Sequence, residues 1–214
     1  MFSYIANKTV NEDAGSQTVS FNISDVDSSV NSMSLSRSTS NSSLLPVSRI
    51  TLGGSGANRT VTFKPVANRY GKATVTITAN DGSSSATKSF VVTVKSVNDK
   101  PTISGISTQS LNEDSNKTIS FSIGDVETAT SSLSVSRRTS NATLLPTSRI
   151  VLGGSGANRS VKLTPMANKF GSAVVYIDVS DGTATTTRAF TVNVASVNDK
   201  PTISGISTQS LSED

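Results

Sequence analysis

The ten residues TISFSIGDVE, Thr118–Glu127, decide the fold. Ile119, Phe121 and Ile123 alternate with Thr118, Ser120 and Ser122, so an extended segment carries apolar side chains on one face and hydroxyls on the other. The run ends in Gly124-Asp125-Val126-Glu127, a composition that stops a strand. One hundred residues earlier the chain reads TVSFNISDVD at Thr18–Asp27, with the same alternation through Val19, Phe21 and Ile23.

The self-similarity extends well beyond this pair. VNDKPTISGISTQSL at Val97–Leu111 returns letter for letter at Val197–Leu211, and residues 34–101 align with 134–201 without a gap. Register slips by one residue only where NEDAGSQTVSF (Asn11–Phe21) faces NEDSNKTISF (Asn112–Phe121), an insertion most easily absorbed in a turn. The chain therefore divides into repeat 1 (1–97), repeat 2 (98–197) and a tail (198–214) with the composition of a linker and the first strand of a following repeat.

Within repeat 2 further period-two runs occur at Leu133/Val135, Ile150/Leu152, Val161/Leu163, Val175/Ile177/Val179 and Phe190/Val192/Val194. With an opening strand over Ile103–Leu111, each repeat holds seven short strands, and no segment carries an apolar stripe at helical spacing. Gly153-Gly154-Ser155-Gly156, Asn168–Gly171 and Asp181-Gly182 supply the turns. The pattern predicts an all-β chain of two tandem seven-stranded immunoglobulin-like sandwiches; the absence of a Cys pair and of Trp argues against an antibody-type domain.

Composition narrows the chemistry. The 214 residues carry a net charge of +4, but Lys and Arg are scattered and the longest basic run is Arg137-Arg138, which disfavours nucleic acid as a partner. No apolar run reaches the roughly 20 residues of a membrane span, so membrane insertion is not expected. Met1–Tyr4 does not begin a signal peptide, so a signal for export would lie outside this sequence. Histidine, cysteine and tryptophan are absent, which leaves the abundant serines without a usual general base, so no enzyme is expected. GGSGAN at Gly53–Asn58 and Gly153–Asn158 lacks the Lys-Ser or Lys-Thr sequel of a phosphate-binding loop and reads as a tight hairpin.

The acids are not scattered. Of 15 carboxylates, 14 fall in motifs at the strand ends, Asp178 being the exception. Antiparallel tracing from the linker sends Glu12 and Asp13 to the lower end of repeat 1 and Asp125, Glu127 and Asp181 to the upper end of repeat 2, with Asn98 and Asp99 between them. The same logic gives an incomplete second set, Glu113, Asp114, Asn198 and Asp199, and an incomplete upstream set, Asp25, Asp27 and Asp81. All the donors are hard oxygen, the chemistry of calcium, which takes roughly 6–8 such ligands in forgiving geometry. Asp and Asn also favour turns for backbone reasons, so each motif taken alone is compatible with a role without metal.

The linker Asn98-Asp99-Lys100-Pro101, the Asn112-Glu113-Asp114 motif, the Gly124–Glu127 turn and the Ser180-Asp181-Gly182 hairpin resemble the cadherin-like, bacterial immunoglobulin-like tandem repeats of very large secreted (RTX-type) adhesins. The resemblance covers nearly the whole chain and implies extracellular sandwiches strung end to end, with calcium stiffening each joint. On the cadherin pattern it assigns the shared ions to Glu12, Asn98 with Asp99, Asp125 with Glu127, and Asp181. Glu127 stands where that family more often has Asp, and the acidic cluster between the fifth and sixth strands is missing. The expected function is a non-enzymatic stalk or adhesion module at the cell surface, partnered by neighbouring repeats. A filament or sheath subunit pairing with other copies through the terminal strand, and a glycan-binding module, are the alternatives.

Overall fold

The computed structural model describes every residue except Ile206, Ser212 and Asp214. The chain forms two compact units, Met1–Asn98 and Asp99–Asp214. No described helix is long and apolar enough to cross a membrane.

Unit 1 contains β1 (Lys8–Asn11), β2 (Gln17–Asn22), β3 (Ser34–Thr39), β4 (Ile50–Ser55), β5 (Asn58–Phe63), β6 (Gly71–Asn80) and β7 (Ser85–Lys95), with one 3-10 turn at Val47–Arg49. One sheet runs β1-β7-β6-β3 and the other β2-β5-β4, the latter extended by a single bridge between Phe2 and Ile23. Unit 2 contains β8 (Thr102–Ser104), β9 (Gln109–Asn112), β10 (Lys117–Gly124), β11 (Ser134–Thr139), β12 (Ile150–Ser155), β13 (Asn158–Leu163), β14 (Gly171–Ser180) and β15 (Thr185–Ala195), with a matching turn at Thr147–Arg149. Its sheets run β12-β13-β10-β8 and β11-β14-β15-β9. Each unit is an immunoglobulin-like β-sandwich.

The expected opening strand over Ile103–Leu111 is broken in two. Thr102–Ser104 pairs antiparallel with β10 in one sheet, and Gln109–Asn112 pairs parallel with β15 in the other. Gly105, at φ +87°, makes the break, a backbone region that an L side chain rarely enters. Ile106 then turns inward and is buried between the two halves of the strand. This switch places residues 112–114 beside the exit of the last strand.

Alternation builds the cores. In β14 Ala173, Val175, Ile177 and Val179 are buried while Val174, Tyr176 and Asp178 between them are half-buried, and in β10 Ile119, Phe121 and Ile123 are buried while Thr118, Ser120 and Ser122 are exposed. Each of these Val, Ile and Phe side chains contributes about 1.5–3 kcal/mol relative to exposure. The outward positions are hydroxylated, and Thr18 and Thr62 meet across β2 and β5 at 2.9 Å.

The tail, 198–214, holds the segment read from the sequence as a linker and the first strand of a following repeat. Residues 201–205, 207–211 and 213 carry no strand, and Ile206, Ser212 and Asp214 lie outside the described residues. The counterparts Thr102–Ser104 and Gln109–Asn112 are strands only through β10 and β15, and no described strand after residue 200 offers such an edge.

Candidate metal centre

Glu113 follows β9 immediately, and its N–H donates to Ala195 O at 2.9 Å, which continues the parallel pairing past the end of the strand. Its side chain is only 6% exposed, and Oε1 accepts hydrogen bonds from Val197 N (2.8 Å) and Ser196 Oγ (3.0 Å). The carboxylate thus clasps the segment that leaves β15. Unit 1 repeats the device: Glu12 is 4% exposed, its N–H donates to Lys95 O, and its Oε1 accepts Val97 N at 2.7 Å. Glu12 Oε2 is buried with no hydrogen-bond partner.

The next acid points elsewhere. Asp13 and Asp114 adopt left-handed backbone (φ 58° and 57°), and their Oδ1 atoms accept Asn68 N and Asn168 N, each at 3.1 Å. Asp13 pins the turn before β6 and Asp114 the turn before β14. One oxygen of each is committed to holding that turn, which the NED motif did not disclose.

At the other end of unit 2, Asp125 Oδ1 accepts the N–H groups of Glu127 (3.0 Å) and Thr128 (2.8 Å). That turn aims Glu127 back toward the linker, where its Oε2 accepts Asp99 N at 2.9 Å. Asp125 Oδ2 and Glu127 Oε1 remain buried without a hydrogen-bond donor. Asp181 Oδ1 accepts Thr183 N and Ala184 N at 2.6 Å each, closing the hairpin between β14 and β15. Asp99, Asp125 and Glu127 are therefore brought together through hydrogen bonds within this unit.

In unit 1, Asp25 Oδ1 accepts Asp27 N and Ser28 N (3.0 and 2.8 Å), and Asp81 Oδ1 accepts Ser83 N and Ser84 N, both at 2.7 Å. The Ser84 and Ser83 amides hold the Asp81 carboxyl below the usual aspartate range. Asp25 and Asp81 line one cleft of about 110 Å³ with Phe2, Ile23 and Met33, whereas Asp27 is exposed and is not in its wall. Asn98, Asn198 and Asp199 are also exposed, and Asn198 Nδ2 donates to Asp199 O at 3.2 Å.

The chemistry of these atoms suits a hard cation. A buried carboxylate oxygen without a donor is expensive, and a divalent ion satisfies it without supplying a proton. The orphaned oxygens of Glu12, Asp125 and Glu127 meet that condition. Calcium would take carboxylate and carbonyl oxygens there and would neutralise their charge.

One cluster lies outside the expected sets. Arg138 on β11 donates to both Asp178 oxygens on β14 (2.8 and 3.2 Å) and lies 4.6 Å above the Tyr176 ring. The hydrogen bond from Arg138 holds the Asp178 carboxyl below its ordinary range. Direct opposition in the sheet, Arg138 to Tyr176 and Ser136 to Asp178, makes the cluster, and only cross-strand register could have revealed it.

No protein-family model matches the chain, and no curated protein matches it. Among solved structures, the titin domains Z1Z2 in complex with telethonin are 14% identical, with 92% of this chain and 97% of that one covered and a TM-score of 0.42. Domains 1–6 of the surface layer protein SbsC are 17% identical (85% of this chain, 23% of that one, TM-score 0.40). An endo-fucoidan hydrolase of glycoside hydrolase family 107 is 16% identical (90% and 28%, TM-score 0.36). No function passes from any of them to this chain.

Proposed function

We propose that the chain is a non-enzymatic, extracellular structural or adhesion module, a stalk segment of a large surface protein whose joints between repeats bind calcium. The observation that carries this reading is the set of buried carboxylate oxygens lacking a donor, on Glu12 in unit 1 and on Asp125 and Glu127 in unit 2. Glu12 clasps the start of the linker at Val97, and Glu127 accepts the linker N–H of Asp99. Carboxylates tied this closely to the linker backbone make its conformation sensitive to an ion. Asp99, Asn98 and Asp181 complete the shell in this proposal, while Asp13 and Asp114 serve first to hold their turns. The Glu113, Asp114, Asn198 and Asp199 set would serve the following joint, and the Asp25, Asp27 and Asp81 set the preceding one.

Calorimetric titration of the whole chain tests this. The proposal expects calcium to bind with an affinity of roughly 0.1–1 mM, the range of extracellular modules. Glu127→Gln should weaken that binding at least about tenfold with both sandwiches still folded. No heat of binding up to about 10 mM calcium, well above that range, would sink it.

A further inference from the structure

The geometry points to an oxyanion site on the open flank of unit 1, for a sulfate, phosphate or carboxylate group carried on a short apolar body. β3 and β4 are the outer strands of their respective sheets, so the sandwich is unsealed between them. A cleft of about 270 Å³ lies there, lined by Met33, Leu35, Arg37, Leu52, Gly54 and Arg59. Arg37 takes an inward position in the alternation of β3, where a core side chain would stand. Its Nε is buried without a partner, and the guanidinium makes no hydrogen bond or ion pair with any described residue. Arg59 Nη1 and Nη2 donate to Gly54 O (3.1 Å) and Val30 O (3.0 Å), which fixes the group, yet its Nε is also buried and unpartnered.

Two guanidinium groups thus border one cleft with no carboxylate in its wall, one of them, Arg37, without a protein acceptor among the described residues. Fixed N–H donors of this kind match the oxygens of an oxyanion. Met33, Leu35 and Leu52, all half-buried, supply carbon surface next to the charged groups. An inward charge on an outer strand also discourages strand-on-strand association, but Arg137 of unit 2 shows that this role does not require an unpartnered Nε. There Arg137 Nε donates to Thr147 O at 3.3 Å, and the corresponding cleft shrinks to about 180 Å³ with Arg159 as its only charged wall. Arg159 Nε is buried and unpartnered like that of Arg59, so the repeats differ at Arg37 and Arg137, and that pair serves as site and control in one molecule.

The test is an NMR titration of the arginine Nε–H resonances in the intact chain with hexyl sulfate, inorganic sulfate and, at matched ionic strength, sodium chloride. Arg37 and Arg59 should shift saturably with hexyl sulfate while Arg137 does not, and inorganic sulfate should bind at least about tenfold more weakly. Arg37→Gln should weaken hexyl sulfate binding by about tenfold or more, because a hydrogen bond to a charged group is lost. Shifts reproduced by chloride, or equal shifts at Arg137, would overturn the site. Equal affinity for the two sulfates would overturn the apolar half of the assignment. The titration of the unmutated chain decides the matter even where the variant fails to fold.

Discussion

Replacing Glu113 with alanine in calcium-free buffer isolates what the buried clasp does for its own sandwich. The wild-type carboxylate accepts two hydrogen bonds, from Val197 N at 2.8 Å and Ser196 Oγ at 3.0 Å, with the side chain only 6% exposed. Hydrogen bonds to a charged group contribute about 1.5–3 kcal/mol each. The upper end does not apply, because Ser196 and Val197 are exposed and their donors find water once released, while removal of the carboxylate relieves its own desolvation. The net loss should be about 2 kcal/mol, or a fall in Tm of roughly 8–16 °C for a unit of this size. Glu113→Gln keeps an acceptor oxygen of the same shape and should lose less than about 1 kcal/mol. Urea unfolding gives the stability, and amide hydrogen exchange at Val197 gives the local reading. Val197 should lose its protection in Glu113→Ala and retain most of it in Glu113→Gln. Unchanged protection at Val197, or equal stability of the two variants, would refute the clasp.

Three further expectations concern single units. Gly154→Ala places a Cβ 2.3 Å from Asn158 O at a backbone of φ +84°, and should destabilise unit 2 by at least about 2 kcal/mol in urea unfolding. Gly182→Ala, at φ +97° with nothing within 4 Å, should lose less, since backbone strain acts there without a clash. Asp178, held below its ordinary range by Arg138, contributes stability that is complete above the unfolded aspartate value, about 3.9, and is lost as pH falls through the lowered folded value. Asp178→Asn should therefore flatten the acid limb of unit 2 below about pH 4, as followed by circular dichroism; an unaltered limb would show the pair to be inert, as exposed pairs often are.

The two sandwiches were legible because period-two alternation through Ile119-Phe121-Ile123 and Val175-Ile177-Val179 marks the inward face of each strand without reference to anything distant. The split of the first strand was not, since Ile103 and Ile106 both read as apolar and only the left-handed Gly105 between them breaks the run. The acids were legible as turn-end residues but not as to what each oxygen does. Asp13 reaches Asn68, 55 residues away, and Asp125 spends one oxygen on its own turn. The first depends on three-dimensional closure, while the second is a local turn, which the sequence marks only as a turn residue. Arg37 carried a readable signal, a basic residue in the inward phase of S-L-S-R-S, but its lack of a partner depends on the flank being open.

Differential scanning calorimetry of the intact chain in about 10 mM calcium and in chelator measures whether calcium occupies the joints. Ten to a hundred times the expected Kd corresponds to about 1.4–2.7 kcal/mol of linkage, so the melting temperature should rise by roughly 6 °C or more in calcium. Glu127→Gln should abolish most of that rise. Superimposable melting curves of the wild-type chain in calcium and in chelator would show that calcium does not bind the joints.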